Sequence, residues 1–97
     1  MPIHEALRSF WRDWDRLTPG EQRAFRRAVR KLVDDLKAGR GFRAGLRVKA
    51  VQGARGVFEL TWAPDGRATF QYGDEQRPGE PHIIWRRTGT HEILRTP

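Results

Sequence analysis

Cysteine is absent from the 97-residue sequence. Disulfide bonds, a thiolate nucleophile and a cysteine-ligated zinc site are therefore excluded, and the composition fits a reducing, cytoplasmic environment. No apolar run approaches the roughly 20 residues that a membrane-spanning helix needs. The first residues also lack the charged and then apolar pattern of a signal peptide. We therefore expect neither membrane insertion nor secretion.

Acidic residues are scarce relative to basic ones, with 12 Asp and Glu against 19 Lys and Arg and a formal net charge of +7. So large a positive charge on so small a chain favours an anionic partner. The basic residues are mostly arginine, whose guanidinium makes bidentate contacts with phosphate and stacks on bases. A GC-rich genome would also raise the arginine share, so the net charge is the more informative quantity.

Histidine is scarce as well, since only His4, His82 and His91 are present. These three residues are scattered along the chain and do not show the ligand spacing of a metal site. We therefore expect no bound metal and no cofactor.

Two helical patterns occupy the first forty residues. Residues 6–17 carry apolar side chains at spacings of three, four and seven, which predicts an amphipathic helix. Thr18, Pro19 and Glu21 have the pattern of a capping box with proline at the first helical position, and Gly39 predicts the end of this second helix. Because the connection is so short, the two helices should form an antiparallel hairpin.

The second helix also carries a basic face, formed by Arg23, Arg26, Arg27, Arg30 and Lys31. Two interpretations stay open, an ordinary solvated surface and a surface that follows phosphates. Under the second interpretation Arg30 is a candidate for RNA contact.

The second half of the chain alternates apolar and polar residues with a period of two, which is typical of half-buried strands. Four such runs occur, at residues 46–51, 57–62, 67–72 and 82–87, with a tight turn at Pro64-Asp65-Gly66 between the second and third. This order predicts an α+β fold in which the helical hairpin packs on a four-stranded, mainly antiparallel sheet. We expect one domain that spans residues 1–97.

The alternation also separates the two faces of the predicted sheet. Phe58, Leu60, Phe70, Tyr72 and Trp85 should face the helices. The opposite, open face should carry polar and mostly cationic side chains: Arg47, Lys49, Glu59, Thr61, Arg67, Thr69, Gln71, His82 and Arg86.

The stretch Arg87-Thr88-Gly89-Thr90-His91, followed by Glu92, Ile93 and Leu94, resembles the C-terminal active-site segment of the YafQ-like branch of RelE/ParE-superfamily toxins. The segment from Gly56 to Trp62 and the two-helix-then-sheet order also fit. This resemblance implies a RelE-like fold and the toxin role in a type II toxin–antitoxin system. It further implies a metal-independent endoribonuclease that cleaves mRNA, usually on the ribosome, and a cognate antitoxin protein as partner.

The resemblance assigns candidate catalytic residues. His91 corresponds to the catalytic histidine of that branch, and imidazole is suited to general acid or base catalysis near neutral pH. A structural or surface histidine at a strand end is the alternative. Arg47 and Lys49 match a basic pair on the first strand, which would bind phosphate or, for Lys49, transfer a proton. Glu59 is a candidate base or, alternatively, a salt-bridge partner that orients Lys49 or Arg67.

Arg67 is a further candidate catalytic residue, and Arg86 and Arg87 are candidates for contact with the RNA backbone. Arg67 and Arg86 would lie at the scissile phosphate. The alternative, for Arg47 and for these three arginines, is that they lie on an ordinary solvated strand face. The chain also departs from many RelE-like toxins, because no aromatic residue follows His91.

Two other functions stay open on the same fold. ParE-like toxins share this architecture and poison DNA gyrase by protein contact, and a catalytically inactive relic that binds nucleic acid or antitoxin would have the same sequence pattern. Phe10, Trp11 and Trp14 either form an antitoxin-docking groove or belong entirely to the core.

Overall fold

Two α-helices pack against a five-stranded sheet in the computed structural model of the chain. The structure describes residues 3–77 and 79–97, with side chains from Glu5 to Glu75 and from Gly79 to Pro97. In chain order the elements are β1 (Ile3–Ala6), α1 (Arg8–Trp14), α2 (Pro19–Ala38), the 3-10 helix η1 (Ala44–Leu46), β2 (Lys49–Ala50), β3 (Val57–Ala63), β4 (Gly66–Arg77), β5 (Glu80–Thr90) and the 3-10 helix η2 (His91–Arg95). None of the described helices has both the length and the apolar character needed to cross a membrane.

The strand order in the sheet is β1-β5-β4-β3-β2. The predicted α+β architecture is confirmed, but the sheet has five strands rather than four. The additional strand, β1, lies parallel to β5 and pairs from Ile3 opposite His82 to Ala6 opposite Trp85. No turn residue separates β1 from α1, so the hydrophobic spacing predicts that Ala6 belongs to the helix. That prediction was wrong, because Ala6 ends β1.

Helix α1 is shorter than the predicted helix over residues 6–17. Leu7 precedes it with an extended backbone, and its N–H donates to the Trp85 carbonyl at 2.9 Å, which continues the β1–β5 pairing. At the other end the Leu17 N–H donates to the Trp14 carbonyl at 3.0 Å, a spacing of three residues that belongs to a tighter turn. Both ends of the apolar pattern therefore lie outside the α-helix.

Helix α2 begins and ends where the sequence predicts. The Glu21 N–H donates to Thr18 Oγ1 at 3.1 Å, and the Thr18 N–H donates to Glu21 Oε1 at 2.8 Å, so the capping box is confirmed. Gly39 ends the helix with a φ of 67°, a conformation that glycine adopts without a Cβ clash.

Replacing Thr18 with alanine is expected to lower the free energy of unfolding by about 1 kcal/mol, because the Glu21 N–H loses its acceptor at the helix start. Urea denaturation followed by circular dichroism measures this change. Thr18→Ser keeps the hydroxyl and should remain near wild-type stability, and equal losses in both variants would refute the capping explanation.

The segment before β3 differs most from its prediction. Residues 46–51 were expected to form a strand, but Leu46 ends η1, Arg47 adopts a left-handed conformation, and only Lys49 and Ala50 pair with β3. Leu46 is buried in the core at 3 % exposure. Burial does not follow the sequence alternation here, because Ala50 is exposed and Val51 is buried. A short alternating run is therefore not enough to separate a strand from a loop.

One hydrophobic cluster joins the helices to the sheet. Phe25 of α2 meets Trp85 of β5 edge to face with ring centroids 5.2 Å apart, and Leu60 and Phe70 are fully buried beside them. The inward assignment of these strand residues is confirmed. Tyr72, which parity also places inward, lies at the margin of the cluster and is 43 % exposed.

The opposite face of the sheet is not the open surface that the alternation predicts. Thr69 is fully buried there and Glu59 is only 7 % exposed. The C-terminal 3-10 helix η2 folds back against β4 and β5, and a Cβ built on Gly89 would lie 3.1 Å from the Ile93 side chain. The alternation indicates which residues share a face of the sheet but not what covers that face. The sequence therefore does not predict that η2 packs there.

Candidate functional site

His91 and Asp65 form an exposed hydrogen-bonded pair at one end of the sheet. Nδ1 of His91 lies 2.6 Å from Oδ1 of Asp65, and the side chains are 65 % and 62 % exposed. The hydrogen bond from His91 lowers the pKa of Asp65, so the carboxylate is ionised and can only accept. Nδ1 therefore carries the proton, and in the neutral ring the lone pair is on Nε2. No described residue bonds that second nitrogen.

Strand pairing brings this pair together across 26 positions of sequence. Gly66 at the start of β4 pairs with Thr90 at the end of β5, so the residue before Gly66 meets the residue after Thr90. Thr90 also caps η2, because its Oγ1 accepts from the Glu92 N–H at 3.4 Å. The turn and the 3-10 helix thus fix both members of the pair.

Glycine is required at position 66 by the ring of Trp62. A Cβ on Gly66 would lie 2.6 Å from two atoms of that ring, closer than real Cβ contacts occur. Gly66→Ala should therefore displace the ring and lower the free energy of unfolding by about 1–3 kcal/mol. Thermal denaturation measures the loss. Gly45→Ala, whose Cβ meets nothing within 4 Å, is the matched control, and a similar loss there would remove the steric explanation.

Arg67 supports the turn that carries Asp65. Its Nη1 donates to the carbonyls of Gly66, Pro64 and Ala63 at 3.0, 3.3 and 3.4 Å. Its positive charge also contributes, as the smallest cause, to the lowered pKa of Asp65. The structure thus places Arg67 beside the His91–Asp65 pair, with its guanidinium turned onto the backbone of the turn.

Lys49 and Glu59 lie opposite each other on β2 and β3. The Lys49 Nζ is 3.7 Å from Glu59 Oε1, the lysine side chain is 70 % exposed and that of Glu59 is 9 % exposed. The carboxylate is therefore mostly shielded while the ammonium stays accessible. This contact matches the salt-bridge alternative for Glu59.

Arg86 and Arg87 hold the C-terminal segment. A bulge in the β4–β5 ladder leaves Arg86 as an extra residue, whose Nε donates to the Pro97 carbonyl at 3.0 Å and whose Nη1 donates to Gln71. Arg87 forms a bidentate pair with Asp13 of α1 at 2.6 and 3.2 Å, and its Nη1 donates to the Thr96 hydroxyl at 2.9 Å. Both guanidinium groups are thus engaged inside the molecule and brace the chain that follows His91.

Arg30 and Arg47 are both exposed and belong to different parts of the molecule. Arg30 lies on α2, whereas Arg47 follows η1. Neither side chain bonds any residue that the structure describes. Of the candidate residues, the structure bonds Arg67 to the turn whose Asp65 meets His91, and it pairs Lys49 with Glu59. It leaves these two arginines without a bond to any described side chain.

The architecture is similar to that of solved toxin structures. A chain of the E. coli DinJ–YafQ complex matches with a TM-score of 0.68 and 17% identity, covering 97% of this chain and 98% of that chain. A chain of the Methanococcus jannaschii RelB–RelE antitoxin–toxin complex gives 0.61 and 10%, covering 96% and 99%. The YoeB/ParE toxin from Agrobacterium tumefaciens gives 0.66 and 12%, covering 92% and 98%.

The chain has a RelE-like fold. At these identities the likeness is one of fold. The sequence itself matches no protein-family profile and no curated protein.

On this RelE-like fold, Asp65 is the site residue that the sequence reasoning missed. The segment Pro64-Asp65-Gly66 was read only as a tight turn, a context in which aspartate is common for conformational reasons. The sequence does contain a usable signal, because antiparallel pairing places the β3–β4 turn and the end of β5 at the same end of the sheet. A carboxylate in that turn can therefore meet a histidine at that strand end.

An apolar groove of about 450 Å³ lies on the helical side of the molecule. Trp11 and Trp14 line it, and Trp11 is 54 % exposed, whereas Phe10 is buried at 3 %. The Arg26 guanidinium stands 5.1 Å from the ring centroid of Trp14 at this groove. Of the three aromatic residues considered for docking, Phe10 thus belongs to the core and the two tryptophans contribute accessible surface.

Proposed function

We propose that the chain is the toxin of a type II toxin–antitoxin system and a metal-independent endoribonuclease that cleaves mRNA in association with the ribosome. The observation that carries this proposal is the exposed His91–Asp65 pair, in which the Nε2 of an accessible imidazole bonds no described residue. The RelE-like fold and the toxins that share it support the toxin role. The resemblance of the stretch from Arg87 to His91 to a toxin active site supports the ribonuclease activity.

The pair suits cleavage by the neighbouring 2′-hydroxyl of RNA. Nε2 of His91 would accept the 2′-hydroxyl proton as the oxygen attacks the adjacent phosphorus, and the bond to the 5′-oxygen breaks. The products are a 2′,3′-cyclic phosphate and a 5′-hydroxyl end. Asp65 would stabilise the imidazolium as it forms and hold the ring in the tautomer that leaves Nε2 free. Asp65 acts here as a positioning residue.

Charge develops on the phosphate in this reaction and needs cations nearby. Lys49 is the accessible candidate, because its side chain is mostly exposed. The Glu59 carboxylate, 3.7 Å from the Lys49 ammonium, is mostly shielded. Lys49 could also supply a proton to the leaving 5′-oxygen. Arg67, Arg86 and Arg87 hold backbone and side-chain oxygens of the protein, and in this proposal they position the turn and the tail around His91.

Mapping of RNA ends after incubation with the purified protein tests the proposed function. Purified protein is added to mRNA alone and to a translating extract, and new 5′-hydroxyl ends are sequenced. Codon-linked ends in the extract support ribosome-associated cleavage, whereas ends on bare mRNA support cleavage without the ribosome. Intact mRNA in both reactions would refute the endoribonuclease.

Gyrase poisoning is the second candidate, because a YoeB/ParE toxin shares the fold. It predicts DNA breaks that depend on gyrase, with mRNA left intact. Measuring DNA damage in the same expressing cells separates the two activities. A chain that neither cleaves RNA nor damages DNA would be a binding protein without catalysis.

The proposed partner is an acidic antitoxin that docks on the apolar groove. Two of the structures that share the fold are toxin–antitoxin complexes. The groove offers exposed Trp11 for an apolar anchor and Arg26 for a carboxylate, and the net charge of +7 favours an acidic segment. Such a complex would form in the cytoplasm, where the mRNA target is found.

A further inference from the structure

A second cleft lies on the other flank of α2, between this helix, η1 and the end of β3. Its volume is about 360 Å³. Four cations line it, Arg27 and Lys31 from α2 and Arg43 and Arg47 from the segment around η1, and no acidic residue is among its lining. We call it the α2–η1 cleft.

Three of these four cations have no partner among the residues that the structure describes. Arg43 is neutralised by Asp35, with contacts of 2.8 to 3.2 Å. Arg27, Lys31 and Arg47 make no hydrogen bond or ion pair with any side chain that the structure describes. Like charges that converge without a counterion repel one another, and a bound anion relieves that repulsion.

Arg47 reaches the cleft from a strained backbone. Its φ of 49° and ψ of 43° lie in the left-handed region, and among the described residues it is the only one besides glycines with positive φ. This conformation is unfavourable for a side chain with a Cβ, and glycine would adopt it freely. Non-glycine residues in this conformation cluster at binding and active sites.

One residue that lines the α2–η1 cleft is adjacent in sequence to the proposed catalytic pair. Pro64 lines the cleft, and the next residue is Asp65, the partner of His91. A polyanion that follows the cations of the cleft would therefore arrive at the turn that carries this pair.

The lining also distinguishes this cleft from the apolar groove. That groove lies along Phe25, Arg26 and Val29 of α2 and presents the exposed Trp11 beside the half-buried Trp14, which suits a protein partner. The α2–η1 cleft offers alanines, the buried Leu46 and the half-buried Trp62, so it has no exposed apolar anchor comparable with Trp11. Its chemistry favours a nucleic-acid backbone.

We infer that Arg27, Lys31 and Arg47 of the α2–η1 cleft bind phosphates of the RNA substrate and lead the strand to the His91–Asp65 pair. This inference rests on the proposed ribonuclease function and adds a substrate-binding site to it. The three side chains do not touch the reacting atoms, so they position the strand.

Binding of a fluorescein-labelled single-stranded RNA as a function of salt tests the inference. The measurements use His91→Gln as the background, so that the RNA stays intact. Arg27→Ala, Lys31→Ala and Arg47→Gly should each reduce the slope of log affinity against log salt by about 0.7, and the triple variant by about 2. Lys37→Ala, an exposed lysine on the same helix, is the matched control and should leave the slope unchanged.

Arg47→Gly separates lost binding from lost folding. Glycine relieves the left-handed strain, so the melting temperature should stay the same or rise while RNA binding weakens. With His91 intact, the cleft variants should raise KM for RNA and leave kcat nearly unchanged.

Unchanged salt slopes in the triple variant would overturn the inference, whether or not the protein cleaves RNA. Weaker binding of an acidic antitoxin with unchanged RNA binding would also overturn it, since the cleft would then be a protein site. If the salt slopes fall as expected but no RNA is cleaved, the cleft stands and the proposed catalysis fails.

Discussion

Replacing His91 with alanine is expected to lower the rate of mRNA cleavage by about 10²- to 10⁴-fold, the range typical of removing a general base or acid. In the proposed mechanism the imidazole takes the 2′-hydroxyl proton, since its Nδ1 lies 2.6 Å from Asp65 Oδ1 and no described residue bonds its Nε2. Single-turnover rates on a defined mRNA in a translating extract measure the effect. His91→Gln, which keeps a polar side chain but not the titratable ring, should be as impaired.

The exposure of the pair makes this a clean experiment. His91 and Asp65 are 65 % and 62 % exposed, so neither substitution removes buried contacts and the melting temperature should stay near that of the wild type. Asp65→Asn keeps the ring but loses the anionic acceptor, and its rate should fall between those of the wild type and His91→Ala. Cleavage by His91→Ala at the wild-type rate would show that another residue performs the proton transfer.

Much of the fold could be predicted because local signals agreed with the tertiary structure. The capping box at Thr18 and Glu21, the glycine that ends α2, and the inward parity of Leu60 and Phe70 all depend on short-range chemistry. Strand β1 was missed because four residues without a flanking turn carry too little pattern to separate them from the helix that follows.

The site was only partly predictable, because its geometry is set by long-range pairing. His91 was found through a short motif, whereas its partner Asp65 lies 26 positions away in a turn. The role of Arg87 could not be read from the alternation either, since Asp13, its partner, is 74 positions away in the chain. Cations that look alike in sequence therefore divide into internally bonded arginines and ones, such as Arg47, that bond no described side chain.

Replacing Asp13 with alanine is expected to lower the free energy of unfolding by about 3–5 kcal/mol, the range for breaking a buried ion pair by removing one partner. The Asp13 side chain is 8 % exposed and accepts from Arg87 at 2.6 and 3.2 Å and from the Thr88 N–H at 3.1 Å. Its loss leaves a backbone donor unpaired in the protein interior. Urea denaturation measures the change, and Asp15→Ala, an exposed carboxylate next to the same helix, should alter stability by less than about 0.5 kcal/mol.

A double-mutant cycle identifies the source of this stability. The hydrogen bond to Asp13 raises the pKa of Arg87. Arginine is charged at ordinary pH even without such a partner, so the guanidinium stays charged when the carboxylate is removed. Asp13→Ala alone should therefore lower the free energy of unfolding by more than the ion pair contributes. Adding Arg87→Ala to it should lower that free energy little further. Strictly additive losses would mean that each side chain acts through other contacts, for Arg87 through Thr96. Because Thr96 lies in the segment that follows His91, Arg87→Ala alone should then slow RNA cleavage more than Asp13→Ala does at a temperature where both variants are folded.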